Sequence, residues 1–148
     1  MDDMMTITFL GTGTSQGIPV VASNHPVCLS DDPRDKRLRV SVLVSWNEFT
    51  YVVDCGPDFR QQMLSNAVTR LDGILFTHEH ADHTAGIDDI RPFFFRQGDI
   101  PIFAHQRVVQ ALKQRFDYIF ADENRYPGAP AVIVNRVYKD TPFELGGQ

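Results

Sequence analysis

A chain of 148 residues, 43% of them hydrophobic and 11% aromatic, is long enough for one globular core, so we expect a single domain over residues 1–148. A net charge of −5 with scattered Lys and Arg residues gives no basic surface, which argues against nucleic acid as a partner. No apolar run of 18 residues and no signal-peptide pattern occur, so we expect a cytoplasmic protein without a membrane contact. Two cysteines are too few for a disulfide framework.

Hydrophobic periodicity and the positions of Gly and Pro predict strands and helices in alternation. In chain order, the pattern predicts a strand at 6–10, a glycine loop at 11–17, strands at 40–46 and 49–54 joined by a turn at 47–48, a helix from 57 to about 66, a strand at 71–77, a strand at 100–104, a helix at 105–116 and a strand at 131–137. This order is typical of a layered α/β protein, or α+β in some classifications.

Four ligand-type residues lie within six positions, directly after the predicted strand 71–77. They are His78, His80, Asp82 and His83. At an extended strand end, residues two apart point the same way, so His78 and His80 can place two imidazoles on one cation. Asp82 and His83 follow where a helix is expected to begin, and they can face a second cation. Imidazole and carboxylate ligands suit zinc, manganese or iron, with zinc as the default.

Two other interpretations explain this cluster less well. A solvent-exposed polar loop explains a single histidine well, but it explains four ligand-type residues in six positions poorly. Glu79 suggests the general base of an H-E-x-x-H protease, yet that motif places its histidines four apart on a helix. We therefore expect Glu79 to point away from the metals.

Four segments together resemble one family. Residues 77–83, Thr-His-Glu-His-Ala-Asp-His, resemble the H-x-H-x-D-H signature of metallo-β-lactamase-fold hydrolases. Residues 9–15 and 53–56 resemble the opening loop and a supporting strand end of its phosphodiesterase-type branch. Residues 86–93, Gly-Ile-Asp-Asp-Ile-Arg-Pro-Phe, are similar to a segment of the phosphonate-pathway cyclic phosphodiesterase group. The implied fold is the αβ/βα sandwich, with its first half and the start of the second present here.

The resemblance implies a binuclear metal hydrolase of a small or cyclic phosphodiester. His78 and His80 would bind the first metal, and Asp82 and His83 the second, the latter pair also being the implied catalytic residues. A hydroxide shared by the two metals would attack the phosphorus. Asp54 would orient a ligand imidazole by a hydrogen bond. The alternative role for Asp54 is to cap the helix that begins at Pro57.

The sequence departs from the family at two places. The group's C-x-C-x-x-C structural zinc motif is replaced by Ser23, His25 and Cys28, so His25 and Cys28 are at best a weak structural metal pair. Otherwise His25 is a loop residue and Cys28 a small buried one. The family's later metal ligands, which include further histidines, have no counterpart here. The one histidine after His83 is His105, and we expect it to be structural at a helix start. We therefore expect a C-terminally incomplete domain, whose 148 residues alone can bind metal weakly and be inactive.

Three enzymatic functions and one non-enzymatic alternative are compatible with the sequence. The leading one is a phosphodiesterase, followed by a tRNA 3′-end endonuclease of the same fold, which the acidic charge disfavours. Thioester or lactam hydrolysis is also compatible with the scaffold. The alternative outside enzymes is a non-catalytic half-domain that binds metal or pairs with a partner through an open sheet edge. An open edge and an uncovered core face predict homo-oligomers.

Overall fold

The computed structural model describes residues 4–146, which form six strands and five short α-helices. The strands are β1 (Thr6–Gly11), β2 (Ser41–Trp46), β3 (Phe49–Val53), β4 (Gly73–Leu75), β5 (Ile100–Ala104) and β6 (Val132–Arg136). The helices are α1 (Pro26–Leu29), α2 (Phe59–Ser65), α3 (Ala81–Thr84), α4 (Arg91–Gln97) and α5 (Gln106–Arg115). Three 3-10 turns lie at Pro33–Asp35, Ile87–Ile90 and Asp117–Ile119.

The six strands form one sheet in the order β1-β2-β3-β4-β5-β6. The first three are antiparallel, and β3 to β6 are parallel to one another. The hairpin between β2 and β3 turns at Asn47, whose φ of 50° lies in the left-handed region that asparagine tolerates well. The parallel part places the carboxyl ends of β3, β4 and β5 at one edge of the sheet, where the histidine cluster follows β4.

The strand predicted at 71–77 is shorter in the structure, where β4 covers Gly73–Leu75 only. Its parallel partner β3 ends at Val53, and Asp54 turns away in a left-handed conformation with φ 64°. Beyond Leu75 the backbone N–H of Phe76 still bonds to Phe103, but that of Thr77 bonds to the Asp54 carboxylate. The Asp54 carboxylate therefore replaces a neighbouring strand as the hydrogen-bond partner of Thr77, and β4 ends before His78.

Helices α2, α4 and α5 contribute buried side chains to the core that lies against the sheet. Helix α5 contributes Val108, Val109 and Leu112, spaced so that they share one face. They meet the inward residues of β4 and β5, among them Ile74 and Ile102, which are fully buried. The helices predicted at 57–66 and 105–116 are present with slightly different ends. Helices α1 and α4 were not predicted.

The other face of the sheet is also apolar but only partly covered. Trp46 and Tyr51 stack there at 5.1 Å between ring centroids, and Phe143 stacks on Phe103 at 5.8 Å. Ile7 and Phe9 of the edge strand β1 stay exposed. The expected oligomers remain a prediction. Among residues 4–146, every helix is too short or too polar to cross a lipid bilayer.

Candidate metal centre

The three clustered histidines converge on one another in space. The ring centroids of His78 and His83 are 4.0 Å apart, and those of His78 and His80 are 4.7 Å apart. His80 stands at the N-terminal end of α3 without using its side chain to cap the helix. Its backbone carbonyl instead accepts from the His83 N–H and the Thr84 hydroxyl. The short helix thus turns His83 back toward the two histidines that precede it.

The buried carboxylate of Asp54 organises this cluster. Its Oδ2 lies 2.7 Å from Nδ1 of His83 and 2.7 Å from the hydroxyl of Thr77, while its Oδ1 accepts from the Thr77 N–H at 2.8 Å. A carboxylate only accepts hydrogen bonds, so Nδ1 of His83 carries the proton. The Nε2 atom of His83 is therefore left with a free lone pair.

The Thr77 hydroxyl also fixes which ring nitrogen of His78 carries the proton. Because the Thr77 hydroxyl donates its hydrogen to Asp54, its oxygen accepts from Nδ1 of His78 at 3.0 Å. His78 thus also presents Nε2 as its electron-pair donor. One buried carboxylate fixes the tautomers of two imidazoles, directly for His83 and through Thr77 for His78.

The remaining donor, Asp82, lies against His83. Its Oδ2 is 3.2 Å from Nε2 of His83. With Nδ1 protonated toward Asp54, this contact brings together two electron-pair donors, which repel unless a proton or a metal cation lies between or beside them. The contact is therefore chemically suited to a shared cation.

Backbone contacts bring the Asp54 turn and helix α3 together. The Cys55 N–H donates to the His83 carbonyl at 2.8 Å, and the Gly86 N–H donates to the Cys55 carbonyl at 2.9 Å. A Cβ atom on Gly56 would lie 2.0 Å from the Asp82 carbonyl oxygen, and one on Gly86 would lie 2.0 Å from that of Gly56. Only glycine permits this approach.

The clustered His and Asp side chains are suitable as metal ligands, but they do not by themselves complete a site. Within residues 4–146, no three or more His, Cys, Asp or Glu side chains are arranged to hold a single ion together. The two pairs assigned from the sequence, His78 with His80 and Asp82 with His83, stay a prediction. Imidazole Nε2 and carboxylate oxygen are ordinary ligands of zinc, so the residues present fit a divalent cation as part of its coordination shell.

The carboxylates of Asp54 and Glu79 face different partners around the histidine cluster. Asp54 does not cap helix α2, because Asp58 occupies the N-cap position and the Asp54 carboxylate is turned to Thr77 and His83. Glu79 points toward helix α5, where its Oε2 lies 3.2 Å from Arg107. Glu79 is therefore placed as the sequence led us to expect.

The weak metal pair His25 and Cys28 has local partners in the structure. Nδ1 of His25 caps α1 by accepting from the Val27 N–H, and Sγ of Cys28 accepts from the Val20 N–H. Hydrogen bonds from Ser23 and Val20 lower the pKa of the Cys28 thiol. Cys28 is only partly buried, so its expected burial is wrong, while metal binding by this pair stays a prediction. His105 caps α5 by accepting from the Arg107 N–H at 3.3 Å, as its structural assignment requires.

Sequence reasoning missed Thr77 and the paired glycines as parts of this site. Thr77 lies directly before His78, and a hydroxyl next to a ligand histidine is a weak signal. The roles of Gly56 and Gly86 depend on a close approach between segments about 30 residues apart, which no local pattern reports.

Comparison with known proteins is decisive for the family. Residues 50–148, more than half of the chain, match the family described as beta-lactamase superfamily domain. The chain belongs to the beta-lactamase superfamily. A solved structure described as a new diphosphatase from the PhnP family is 38% identical, with a TM-score of 0.80, and the match covers 91% of this chain and 51% of that one. The predicted α/β class and the metallo-β-lactamase fold are confirmed.

Two sequence relatives of this superfamily member carry different names. An octanoyltransferase of Porphyromonas gingivalis is 39% identical over 142 residues, covering 95% of this chain and 28% of that protein. A ribonuclease Z of Bradyrhizobium diazoefficiens is 36% identical over 86 residues, covering 57% of this chain and 23% of that protein. The chain therefore spans about half of the solved relative and less than a third of each sequence relative.

Proposed function

We propose that this chain is the metal-holding part of a metal-dependent hydrolase that acts on a small or cyclic phosphodiester. His78 and His80 are assigned to one divalent cation, and Asp82 and His83 to a second. Asp54 orients His83. Zinc is the default metal for such ligands, with manganese or iron as alternatives. We also propose that the protein is cytoplasmic.

The observation that carries this proposal is the contact between Asp82 and His83. Two electron-pair donors lie 3.2 Å apart, and the Asp54 carboxylate occupies the other nitrogen of the same imidazole. A carboxylate beside an imidazole Nε2 is stable only when a proton or a metal cation lies between or beside them. An arrangement that costs stability in the absence of a ligand is typical of a functional site.

The chemistry follows from these ligands. When bound, the cations supply Lewis acidity that polarises phosphoryl oxygens and offsets the negative charge of the transition state. Within the chain, Asp54 keeps the Nδ1 protons of His83 and, through Thr77, of His78 in place, so that both Nε2 atoms stay available. The left-handed backbone conformation of Asp54 directs its carboxylate toward Thr77 and His83.

The substrate class is supported by the relatives. The names diphosphatase and ribonuclease Z both denote enzymes that break a phosphorus–oxygen bond. The net charge of −5 favours a small substrate over a long polyanion, because a bound cation pair dominates the field only in its own pocket.

The direct test measures metal content and turnover together. We expect up to two zinc ions per chain after loading and desalting, and hydrolysis of bis(p-nitrophenyl) phosphate. His78→Ala and His83→Ala should each lose metal and turnover. His105→Asn is the matched control, since it removes a histidine outside the cluster and keeps a side chain that caps α5 well.

Two outcomes contradict the proposal in different ways. Absence of bound metal in a folded wild-type chain overturns the site assignment. Metal retained by the wild type without turnover overturns the phosphodiesterase assignment and supports the alternative of a non-catalytic metal-binding half-domain.

The second enzymatic candidate is a tRNA 3′-end endonuclease, which the 36% identity to ribonuclease Z favours. If the protein cleaves a precursor tRNA with a 3′ trailer much faster than bis(p-nitrophenyl) phosphate, the tRNA endonuclease assignment replaces the small-phosphodiester assignment. The chain's net negative charge predicts the opposite order of rates.

A further inference from the structure

Two of the four assigned ligands lie on a segment without regular structure of its own. Strand β4 ends at Leu75 and helix α3 begins at Ala81, so His78 and His80 are carried by the five residues between them. The Asp54 carboxylate fixes Thr77 and the ring of His78, at one end of this segment. His80 lies at the other end, beyond the reach of that network.

Helix α5 meets this segment at Glu79, the residue between the two histidines. The Arg115 guanidinium donates to the backbone carbonyl of Glu79. Nη2 of Arg107 lies 3.2 Å from Oε2 of the Glu79 carboxylate. Since Arg107 and Arg115 are eight residues apart, slightly more than two helical turns, both guanidinium groups reach Glu79 from the same side of α5.

The helix that carries these arginines is firmly held. Val108, Val109 and Leu112 are almost completely buried, and His105 caps the first turn. A hydrogen bond from Arg115 to the Glu79 carbonyl restrains the peptide plane between Glu79 and His80. That plane sets the direction of the Cα–Cβ bond of His80, because the backbone has only two soft dihedral angles per residue.

We propose that Arg115, assisted by Arg107, is a positioning residue that keeps the imidazole of His80 aimed at the cation that His78 also binds. The inference rests on the metal site of the proposed function. Arg115 is the stronger of the two because it bonds to the backbone. Arg107 is 70% exposed and its charge pair with Glu79 lacks hydrogen-bond alignment, so its contribution is small.

The sign of the expected effect separates positioning from simple electrostatics. A guanidinium near a cation site repels the cation, so removing its charge would by itself strengthen metal binding. If Arg115 instead holds the ligands in place, its removal weakens binding. Loss of a group that orients a ligand typically costs about tenfold to a hundredfold in metal affinity.

The test compares Arg115→Met, Arg115→Lys and Arg107→Met with the wild type. Arg60→Met, which removes an exposed arginine of α2, is the matched control. Zinc affinity is measured by competition with a chromophoric chelator, ligand geometry by the visible absorption of bound Co²⁺, and folding by thermal melting of the metal-free protein. We expect Arg115→Met to weaken zinc binding roughly tenfold and to alter the Co²⁺ spectrum. Arg115→Lys should recover most of the affinity, and Arg60→Met should match the wild type.

The results distinguish this inference from the proposed function. Wild-type zinc affinity or tighter binding in Arg115→Met, together with an unchanged Co²⁺ spectrum, overturns the positioning role while the metal site stands. A folded wild type that binds neither zinc nor cobalt overturns both. Should Arg115→Met not fold, Arg115→Gln takes its place, because it keeps a polar side chain but lacks the guanidinium that reaches the Glu79 carbonyl, and unchanged zinc affinity in Arg115→Gln overturns the role.

Discussion

Asp54 and His83, 29 positions apart in the chain, are joined by a 2.7 Å hydrogen bond between a buried carboxylate and an imidazole Nδ1. The bond depends on a left-handed residue at the end of β3 and on a one-turn helix that brings His83 back beneath it. It links the sheet to the histidine cluster. The chemistry assigned to this chain depends on that link.

Replacing Asp54 tests the link directly. Asp54→Asn keeps the shape of the side chain but weakens its capacity to hold a proton on His83 and Thr77, so we expect zinc affinity to fall by about tenfold to a hundredfold. Thr77→Val removes the hydroxyl that links Asp54 to His78 but leaves the bond between Asp54 and His83, so it should cost less. Both are measured by competition with a zinc chelator. Equal affinity in Asp54→Asn and wild type would show that the carboxylate does not orient the ligand.

The close approach at Gly56 and Gly86 predicts a large loss of stability on adding a methyl group. Each Cβ would lie 2.0 Å from a backbone carbonyl oxygen, and backbone cannot move aside as a flexible side chain can. We expect Gly86→Ala to lower the free energy of unfolding by about 3 kcal/mol, measured by urea denaturation.

The control for this prediction is Gly98→Ala. Its Cβ would meet nothing within 4 Å, so only its positive φ of 87° opposes alanine. A cost of about 1 to 2 kcal/mol is expected there. If Gly98→Ala proved as damaging as Gly86→Ala, steric contact at the metal centre would not be the cause.

The two thiols should differ in reactivity. Hydrogen bonds from Ser23 and Val20 lower the pKa of Cys28, which is partly exposed. Complete burial, followed by the nearby Asp89 and Asp54 carboxylates, raises the pKa of Cys55 well above its usual range. Because the thiolate is the nucleophile, iodoacetamide should label Cys28 in the folded protein on the order of a hundred times faster than Cys55.

Mass spectrometry of timed samples measures this difference. Cys28→Ser should remove the fast phase, and urea should expose Cys55 to the reagent. Rapid labelling of Cys55 in the folded chain would mean that the Asp54 turn opens readily.

Tyr118 predicts a loss of stability at high pH. Burial, together with its hydrogen bond to Asp88, raises the pKa of Tyr118 to about 12 from an ordinary value of 10. A raised folded-state pKa gives a contribution to stability that is complete below pH 10 and is lost as the pH rises toward 12. Tyr118→Phe should therefore be less stable than the wild type at pH 8, by about 1 kcal/mol, with the difference shrinking above pH 10.

Urea denaturation at several pH values between 8 and 11.5 checks this prediction. The exposed Tyr138 provides the control, because Tyr138→Phe should track the wild type throughout. A difference between Tyr118→Phe and wild type that stays constant over this range would contradict it.

Local patterns predicted the regular elements that have strong periodicity. Strand β5 has the predicted bounds of Ile100 and Ala104, and helix α5 lies one residue inside the predicted ends. The pattern failed at β4, where a predicted strand of seven residues, 71–77, contains only three residues in a strand, because the partner strand had already turned at Asp54. Helix α4 was missed since its aromatic residues, Phe93–Phe95, show no clear helical face.

The sequence by itself determined the chemical identity of the candidate site. Four ligand-type residues within six positions are readable from spacing alone, and the family resemblance added the aspartate at a strand end. Tertiary structure decided how those groups are arranged. The tautomers of His78 and His83, the pairing of Asp82 with His83 and the hold of helix α5 on Glu79 all depend on contacts between distant segments. Hydrogen-bond direction is a property of two groups in space, so no periodicity along one segment can report it.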